Sequence, residues 1–395
     1  MADGHDWIVV GGGVHGVHLA VRLLGEAGVS SERLRIVDPA PQLLASWRRC
    51  AANTGMRFLR SPAVHHLGVD PWSLLRFAGA KGRGRKPEGL FAPPYDRPSV
   101  ELFDRHCDEL IASYGLADLH VRAAARGLDV SSGGVDVHLS SGESLRARHV
   151  LLAVGSSAQP RWPDWATRLR DGGALVRHIF ERDFVLEPDA WPDSVVVVGG
   201  GITAAQVAMR MADTGREVHL VSRHEPREHQ FDADPGWVGP KHMRRFSATT
   251  DRGERRQMIG KARHAGSIPP DVNRALRRAA QDGRVRVHRG EPEPIEGADR
   301  LTLRVGAHRI VVEGMLLATG FDAQRPGGTL VEGLIDQHAL PCAECGYPLV
   351  DTHLRWHPRV FVTGPLAELE IGPVARNIVG ARRAADRIVP LARTF

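Results

Sequence analysis

Val195-Val196-Val197-Val198-Gly199-Gly200-Gly201-Ile202-Thr203-Ala204 is the stretch that decides the fold. It has the form of a buried parallel strand that leads through a glycine turn into a helix. A second copy, Ile8-Val9-Val10-Gly11-Gly12-Gly13-Val14-His15-Gly16, lies near the N-terminus. Two such units predict an α/β chain that holds two dinucleotides and passes electrons from one bound cofactor to the other.

The first unit satisfies every position of the G-x-G-x-x-G pattern. Gly11 allows the tight turn, Gly13 lets the backbone approach a pyrophosphate, and Gly16 lets the helix pack close to the strand. The next strand ends at Asp38, about 20 residues further on, where a carboxylate accepts hydrogen bonds from ribose hydroxyls. Because that carboxylate disfavours a 2′-phosphate, we expect FAD or NAD here and not NADP.

The second unit differs at the end of its second strand. Gly199, Gly201 and Ala204 form G-x-G-x-x-A, and the following strand ends in Ser222 and Arg223 instead of an acid. An arginine can donate two parallel hydrogen bonds to a 2′-phosphate, which favours NADPH. The alternative is an exposed arginine at a strand end, with NADH as the cofactor.

Two further segments are candidates for the substrate site. Residues 47–78 are rich in Arg, His and aromatic residues without a clean period, which is typical of a segment that lines a site. An ordinary loop with buried Phe and Leu is the alternative. Residues 224–283 are a mostly helical insertion that either caps the nicotinamide or lines the substrate entrance. The candidates for orienting the substrate or NADP are Arg57, Arg60, His65 and His66.

The C-terminal part returns to the first domain. Val360–Gly364 reads as a last strand, and Pro373 follows Gly372 as the start of a helix. A helix N-terminus beside a flavin would stabilise the negative charge of the reduced ring; a plain packing helix is the alternative. The remaining predicted cofactor contacts are Val14, His15, Pro39, Trp47, Gly155, Ile202, Thr203, Thr319, Gly320, Gly364, Gly372, Pro373 and Val374.

Cys342 and Cys345 form a C-x-x-C pair with histidines on either side. Such a pair is a redox dithiol or part of a zinc site in some proteins. A second C-x-x-C is lacking and the pair does not stand at a helix start, so we interpret both as incidental loop cysteines and expect no metal.

Composition narrows the protein class. The 395 residues include 42% hydrophobic residues, and no apolar run approaches the roughly 20 residues of a membrane span. Four cysteines and the lack of a signal peptide favour the cytoplasm. The excess of 52 Lys and Arg over 46 Asp and Glu fits pockets for anionic cofactors. Nucleic-acid binding through the basic loop 81–86 is the alternative, and a homo-oligomer is left open.

The order of these motifs resembles the single-component (group B) flavin monooxygenases, which keep FAD and NADPH on one chain. Their N-hydroxylating branch, which acts on lysine and ornithine, is the most similar. That branch carries Asp, Leu or Phe, Ala-Thr-Gly, Tyr, then Pro or His late in the chain, and a Met-Gln…Leu-Lys…Asp-Pro segment near the flavin. The matching residues here are Glu313, Leu317-Ala318-Thr319-Gly320, Phe321, Pro326, Met56-Arg57, Leu59-Arg60 and Asp70-Pro71. Glu, Phe and two arginines replace the branch's Asp, Tyr, Gln and Lys.

The resemblance implies a glutathione-reductase-like architecture with two Rossmann-like domains. An FAD domain, residues 1–175 and 330–395, would be interrupted by an NADPH domain, residues 190–325. NADPH would reduce FAD, O2 would form a C4a-hydroperoxyflavin, and a heteroatom of a small polar substrate, expected to be nitrogen, would be oxygenated. The alternatives are a disulfide reductase that uses Cys342 and Cys345, and a non-catalytic FAD/NADPH- or nucleic-acid-binding protein.

Overall fold

The computed structural model describes residues 4–80, 86–295 and 300–394. Residues 81–85, which make up most of the predicted basic loop, lie outside them. Within these ranges, no helix is both long enough and apolar enough to cross a membrane.

The helices lie mostly in the two regions that follow the glycine turns and at the C-terminus. In chain order they are α1 (Val14–Gly25), α2 (Ala45–Thr54), α3 (Ser73–Phe77), α4 (Val100–Ser113), α5 (Asp164–Asp171), α6 (Ile202–Ala212), α7 (Pro240–Ala248), α8 (Arg252–Ala262), α9 (Pro270–Gln281), α10 (Gly328–His338), α11 (Glu368–Ile371) and α12 (Ile378–Ala392).

The strands alternate with these helices along the chain. They are β1 (His5–Val10), β2 (Leu34–Val37), β3 (Phe91–Ala92), β4 (Arg97–Pro98), β5 (His120–Val121), β6 (Ala125–Ser131), β7 (Gly134–Leu139), β8 (Ser144–Leu152), β9 (Val176–His178), β10 (Ser194–Val198), β11 (Glu217–Ser222), β12 (Arg227–Glu228), β13 (Ser267–Ile268), β14 (Val285–Arg289), β15 (Glu293–Pro294), β16 (Leu301–Val305), β17 (His308–Val312), β18 (Gly314–Leu317), β19 (Arg355–His357) and β20 (Val360–Val362).

The first sheet has its N-terminal strand near the centre. Its order is β19-β20-β8-β1-β2-β5; β7 also pairs with β8, and β6 with β7, and both pairings are antiparallel. Strand β1 is parallel to both β2 and β8. Residues Trp7–Val10 are almost fully buried because helices and loops cover both faces of the strand.

The second sheet repeats this arrangement around the four valines. Its order is β14-β11-β10-β18-β9, and every pairing is parallel. Residues 195–197 are fully buried, as expected of a central strand in a doubly wound sheet. Strand β9 pairs with β18, so the segment before residue 190 already contributes to this sheet. A three-stranded antiparallel sheet, β15-β16-β17, lies beside it.

Helix α1 ends at Gly25, where the Glu26 N–H donates a hydrogen bond to the Arg22 carbonyl. The start of the C-terminal helix differs from the sequence prediction. Pro373 starts a 3₁₀ turn, Pro373–Arg376, and the long helix begins only at Ile378. Asn377 adopts an extended conformation between the two, so the chain bends there before α12 starts.

A buried carboxylate joins the insertion to the C-terminal segment. The Glu368 side chain is fully shielded from solvent and forms ion pairs with Arg256, Arg263 and Arg376. Burial alone opposes its ionisation, but the three guanidinium groups outweigh burial and lower the pKa of Glu368 from 4.5 to about 2. Arg256 also lies over the Tyr347 ring, 3.9 Å from its centroid. Helix α8 is thereby attached to the segment that precedes α12.

We expect Glu368→Gln to lower the free energy of unfolding by about 3–5 kcal/mol, because three arginines lose their buried counterion. Urea denaturation at neutral pH measures the change. Glu344→Gln, at an exposed position, is the control and should shift the free energy by less than about 0.5 kcal/mol.

Glu368→Gln should also change how the stability of the protein depends on pH in acid. A carboxyl group whose pKa is lower in the folded than in the unfolded protein stabilises the fold at pH values above its unfolded pKa. It loses that contribution as the pH falls toward its folded pKa. The wild-type stability should therefore fall between pH 4.5 and about 2 through Glu368. Glu368→Gln should lack that part of the acid loss; an identical pH profile in both proteins would contradict the role given to this carboxylate.

Candidate dinucleotide sites

The first glycine turn leaves the carboxyl end of β1 and is open on one side. Gly11 has a φ of +115°, and a Cβ there would meet the Ala153 carbonyl oxygen at 2.6 Å. A Cβ at Gly16 would overlap the Gly11 carbonyl oxygen. At Gly13, in contrast, a Cβ would meet no described heavy atom within 4 Å. The turn is therefore tight toward the sheet and leaves space where a pyrophosphate approaches.

Helix α1 presents its N-terminus to this space. Gly13 is its N-cap and no side chain caps the first N–H groups, so they are suited to an anion. The Asp38 carboxylate accepts hydrogen bonds from the N–H groups of Gly12 (2.7 Å) and Ala40 (2.8 Å). Each carboxylate oxygen keeps a further lone pair. Asp38 is thus held at the end of β2 in position to accept from a ribose hydroxyl.

His15 connects this turn with the C-terminal segment. Its Nδ1 lies 2.9 Å from the Thr363 hydroxyl, and a Cβ at Gly364 would lie 3.7 Å from the same nitrogen. Its Nε2 is shielded from solvent, and the ring also approaches the backbone of Arg376 and Asn377. Burial lowers the pKa of His15 to about 4, so the ring is neutral at pH 7. His15 thus fixes the first glycine turn against the C-terminal segment.

The other residues predicted to contact the first cofactor surround the same edge, except for Thr319 and Gly320, which follow β18 of the second sheet. Gly372 has a φ of +91° and lies under the insertion, since a Cβ there would be 3.4 Å from the Met243 sulfur. Trp47 is half-buried against Phe103, with ring centroids 5.0 Å apart. The Thr319 hydroxyl donates to the Arg161 carbonyl, at the crossing between the two sheets. Val14 starts α1, Pro39 follows β2, Gly155 follows β8, Gly320 follows Thr319, and Pro373 and Val374 follow Gly372.

The predicted substrate residues do not form one cluster. Arg60 donates from Nε to the Gln230 carbonyl (2.7 Å), and from Nη2 to the His229 carbonyl (2.7 Å) and the Ser267 hydroxyl (2.8 Å). This guanidinium ties the first domain to the insertion. Arg57 is exposed and pairs through its backbone carbonyl with the Val100 N–H.

The two neighbouring histidines have different surroundings. His66 uses both ring nitrogens, one toward the Pro71 carbonyl (3.0 Å) and one accepting from the Gly68 N–H (3.1 Å). Burial is the main cause that lowers its pKa to about 3. Burial, assisted by the charge of Arg382, lowers the pKa of His65 to about 4. Both rings are therefore neutral at pH 7, and His66 is held in the loop by its own backbone contacts.

The second glycine turn is more closed than the first. A Cβ at Gly199 would overlap the Ala318 carbonyl oxygen, and a Cβ at Gly201 would lie 3.3 Å from the Gly266 Cα. A Cβ at Gly200 would lie 2.6 Å from the Ser222 hydroxyl and 3.0 Å from the His224 ring. Ile202 and Thr203 open α6, and Ala204 is buried against the strand. The turn borders a cavity of about 100 Å³.

The two residues predicted to bind the second ribose point to different surroundings. The Ser222 hydroxyl donates to the His224 carbonyl (2.7 Å) and lines the cavity. The Arg223 side chain is 62% exposed, with Nε 3.9 Å from Glu291. A larger cavity, about 800 Å³, lies between α5 and the antiparallel strands. Its lining includes Ile295 and Arg300 and contains no predicted site residue.

Cys342 and Cys345 lie in a turn after α10. The turn is closed by hydrogen bonds from Ala343 N–H to the Tyr347 carbonyl (2.9 Å) and from Gly346 N–H to the Ala343 carbonyl (2.8 Å). Both cysteines are free thiols, and burial raises the pKa of Cys342. Among the described residues, no three His, Cys, Asp or Glu side chains are grouped as metal ligands would be.

Four residues at these edges are absent from the sequence prediction. Thr363 precedes the predicted Gly364 directly and bonds His15. His224, Gly266 and Arg289 all lie at the second turn. Arg289 ends β14, and the pairing of β14 with β11 places it beside Ser222. Gly266 and His224 carry no motif, so nothing local to them signals their position.

The sequence matches the family described as pyridine nucleotide-disulphide oxidoreductase over residues 5–235, more than half of the chain. The matched segment contains both glycine turns. No curated protein matches the chain in sequence.

Three solved structures illustrate the shared fold. An FAD-bound cadaverine monooxygenase of the desferrioxamine pathway from Erwinia amylovora is 17% identical, with a TM-score of 0.74 over 99% of this chain and 95% of that one. An ornithine N-hydroxylase from Kutzneria sp. 744, with reduced FAD, NADP⁺ and L-ornithine, is 17% identical, with a TM-score of 0.73 over 99% of both chains. A bacillithiol disulfide reductase from Bacillus cereus is 14% identical, with a TM-score of 0.62 over 99% of both. The predicted glutathione-reductase-like α/β fold is confirmed.

We expect Gly13→Ala and Gly16→Ala to separate cofactor binding from folding. A methyl at Gly16 overlaps the Gly11 carbonyl and should unfold the first domain, whereas a methyl at Gly13 enters open space. Gly13→Ala should keep the wild-type circular dichroism and lose bound flavin absorbance. Full flavin content in Gly13→Ala would show that the open space is not the cofactor cradle.

Proposed function

The chain belongs to the pyridine nucleotide-disulphide oxidoreductase family, and we propose that it works as an FAD- and NADPH-dependent monooxygenase that oxygenates nitrogen in a small polar substrate. The observation that carries the proposal is the pair of glycine turns at the carboxyl edges of two parallel sheets, of which the first is an open cradle. Solved structures of this fold that hold FAD and NADP⁺ with an amine-bearing substrate support it.

FAD fits the carboxyl edge of the first sheet, at the first glycine turn. Gly11, Gly13 and Gly16 would let its pyrophosphate reach the N-terminus of α1, and Asp38 would accept from its ribose. The neutral His15 ring would hold the C-terminal segment against this turn. Gly372 would face the flavin ring, with Met243 and Phe246 of α7 packed over that turn. The insertion would thereby keep water away from the ring, which an oxygenating site requires.

NADPH fits the second edge only after a local movement. Gly199, Gly201 and Ala204 would receive its pyrophosphate, and the end of β11 at Ser222 would receive its ribose. The cavity there, about 100 Å³, is smaller than the roughly 300–1,000 Å³ of ligand pockets. Gly266 and His224 stand against the turn, so their segments must move away as NADPH enters.

Bound FAD would supply the redox chemistry, taking hydride from NADPH and activating O2. The chain's own residues bind, orient and exclude water. Arg57, Arg60, His65 and His66 stay our candidates for the substrate side. Of these, Arg60 is best anchored, since its three hydrogen bonds hold residues 229, 230 and 267 of the insertion beside the first domain.

A disulfide reductase is the second candidate, supported by the fold shared with the bacillithiol disulfide reductase and by the Cys342–Cys345 pair. Such an enzyme needs a reactive thiolate. Burial raises the pKa of Cys342, which disfavours its thiolate at pH 7. The monooxygenase is therefore the preferred function.

The decisive experiment mixes NADPH-reduced holoenzyme rapidly with oxygenated buffer and follows the flavin absorbance. A monooxygenase should show a transient absorbing species before oxidised flavin returns. With cadaverine, ornithine and lysine as probes, NADPH consumption should be coupled to hydroxylamine formation. Return of oxidised flavin without a transient, and without product from any amine, would contradict the proposal.

A cysteine double variant tests the rival. Under the monooxygenase proposal, Cys342→Ser with Cys345→Ser should leave NADPH oxidation within about twofold of wild type, because neither thiol takes part. Under the reductase alternative, NADPH-dependent reduction of a disulfide probe should be present in the wild type and abolished in the variant. That second outcome would replace the proposed function.

A further inference from the structure

Strands β11 and β14 present one continuous face to the second glycine turn. They are parallel and in register, with Leu220 opposite Val287 and Ser222 opposite Arg289. Residues paired in this way project to the same side of a sheet. All four line the cavity at the turn. Arg289 therefore stands on the cavity side, at the end of the strand next to Ser222.

Arg223, the arginine expected from the sequence, is placed differently. It follows the end of β11 and does not line the cavity. Its nearest acidic partner is Glu291, at 3.9 Å. Arg223 and Arg289 are equally exposed, at 62% and 61% of their side chains. What distinguishes them is the side of the sheet end on which each guanidinium lies.

The cavity has the parts of an adenosine site. Leu220, Ile268, Leu276 and Val287 give it an apolar wall that suits a purine, and Gly199–Gly201 form its pyrophosphate end. Ser222 and Arg289 form its polar edge, where the ribose of a dinucleotide bound at the end of the second strand belongs. A phosphate on that ribose would meet the Arg289 guanidinium, which can donate two parallel hydrogen bonds to it.

Glu225 holds this guanidinium in an ion pair. A phosphate carries more negative charge than the carboxylate and would take over the guanidinium when it binds. Glu225 would then repel the phosphate slightly, so its removal should strengthen binding.

We propose that Arg289 recognises the 2′-phosphate of the dinucleotide and determines the choice of NADPH over NADH. The inference rests on the proposed function, because it concerns the NADPH that the proposed monooxygenase consumes. It assigns the choice between NADPH and NADH to Arg289, at the end of β14, and not to Arg223, which follows β11.

Binding of two nucleotide probes to the FAD-loaded full-length chain tests this assignment. The wild type should bind adenosine 2′,5′-bisphosphate more tightly than AMP by calorimetry. Arg289→Ala should weaken the bisphosphate by about 10- to 100-fold, the range for a lost charge-assisted pair, and leave AMP unchanged. The matched control is Arg286→Ala, on the same strand, 60% exposed, ion-paired with Glu217 and outside the cavity; it should change neither affinity.

Two further variants sharpen the result. Glu225→Gln should raise the affinity for the bisphosphate and leave the affinity for AMP unchanged. Arg223→Ala should cost less bisphosphate affinity than Arg289→Ala. The proposal is overturned if Arg289→Ala binds the bisphosphate as the wild type does, if it loses both probes equally, or if Arg223→Ala loses more.

Steady-state and rapid-mixing kinetics separate this inference from the proposed function. Arg289→Ala should lower the ratio of kcat/KM for NADPH to that for NADH through KM, while the reaction of the reduced flavin with O2 stays as in the wild type. An enzyme that lacks the oxygen reaction but loses bisphosphate binding in Arg289→Ala would refute the monooxygenase and keep the specificity residue. If the wild type bound the bisphosphate and AMP with equal affinity, the assignment of 2′-phosphate recognition to Arg289 would be refuted.

Discussion

The close approach of a helix to its preceding strand, at both glycine turns, is the constraint on which the rest of the structure depends. A methyl group at Gly16 would overlap the Gly11 carbonyl, and one at Gly199 would lie 3.1 Å from the Cβ of Ala204 on α6. Because so little space separates helix and strand, the uncapped N–H groups of α1 and α6 are brought directly to the carboxyl edge of each sheet. The residues suited to hold a dinucleotide gather at these two edges because strand ends and helix starts converge there.

The buried carboxylate of Glu368 has a different role, which is to fix the insertion against the C-terminal segment near the first glycine turn. Burying ions is costly, and the gain depends on complete pairing. Three arginines from two separate segments complete it: Arg256 and Arg263 from the insertion and Arg376 from the turn after Gly372. An apolar contact would tolerate sliding, whereas this arrangement requires one position of the insertion. Met243 is thereby kept against Gly372, so the same electrostatic cluster closes the region where the flavin ring is expected.

The two sheets could be predicted from the sequence because parallel, buried strands leave a strong local signal. Four consecutive valines followed by glycines allow few other structures, because a strand that is buried on both faces appears in the sequence as a continuous apolar run. The contacts that join distant segments could not be predicted. Arg60 lies in a segment whose composition suggests a substrate site. Only the folded chain shows that its guanidinium donates hydrogen bonds to Gln230, His229 and Ser267. Arg289 is a plain arginine on a short strand until β14 pairs with β11. In each case the missing information is which strands or loops become neighbours, and this depends on the whole core.

The two turns have nearly the same sequence and yet offer a ligand different access, and the reason lies in the residue at which the second strand of each unit ends. After β2 the chain turns at Asp38, whose carboxylate bonds the N–H of Gly12 and draws the connection away from the open side of Gly13. After β11 the chain turns at Ser222, whose hydroxyl bonds the carbonyl of His224 and brings that ring over Gly200. Gly266 then packs against His224 and Gly201. One side chain at the strand end thus changes both the charge offered to a ribose and the path of the next loop. The open cradle at Gly13 can receive a dinucleotide as it stands. At the second turn Gly266 and His224 must first move away, and because they separate little apolar surface from the turn, that local opening costs little free energy.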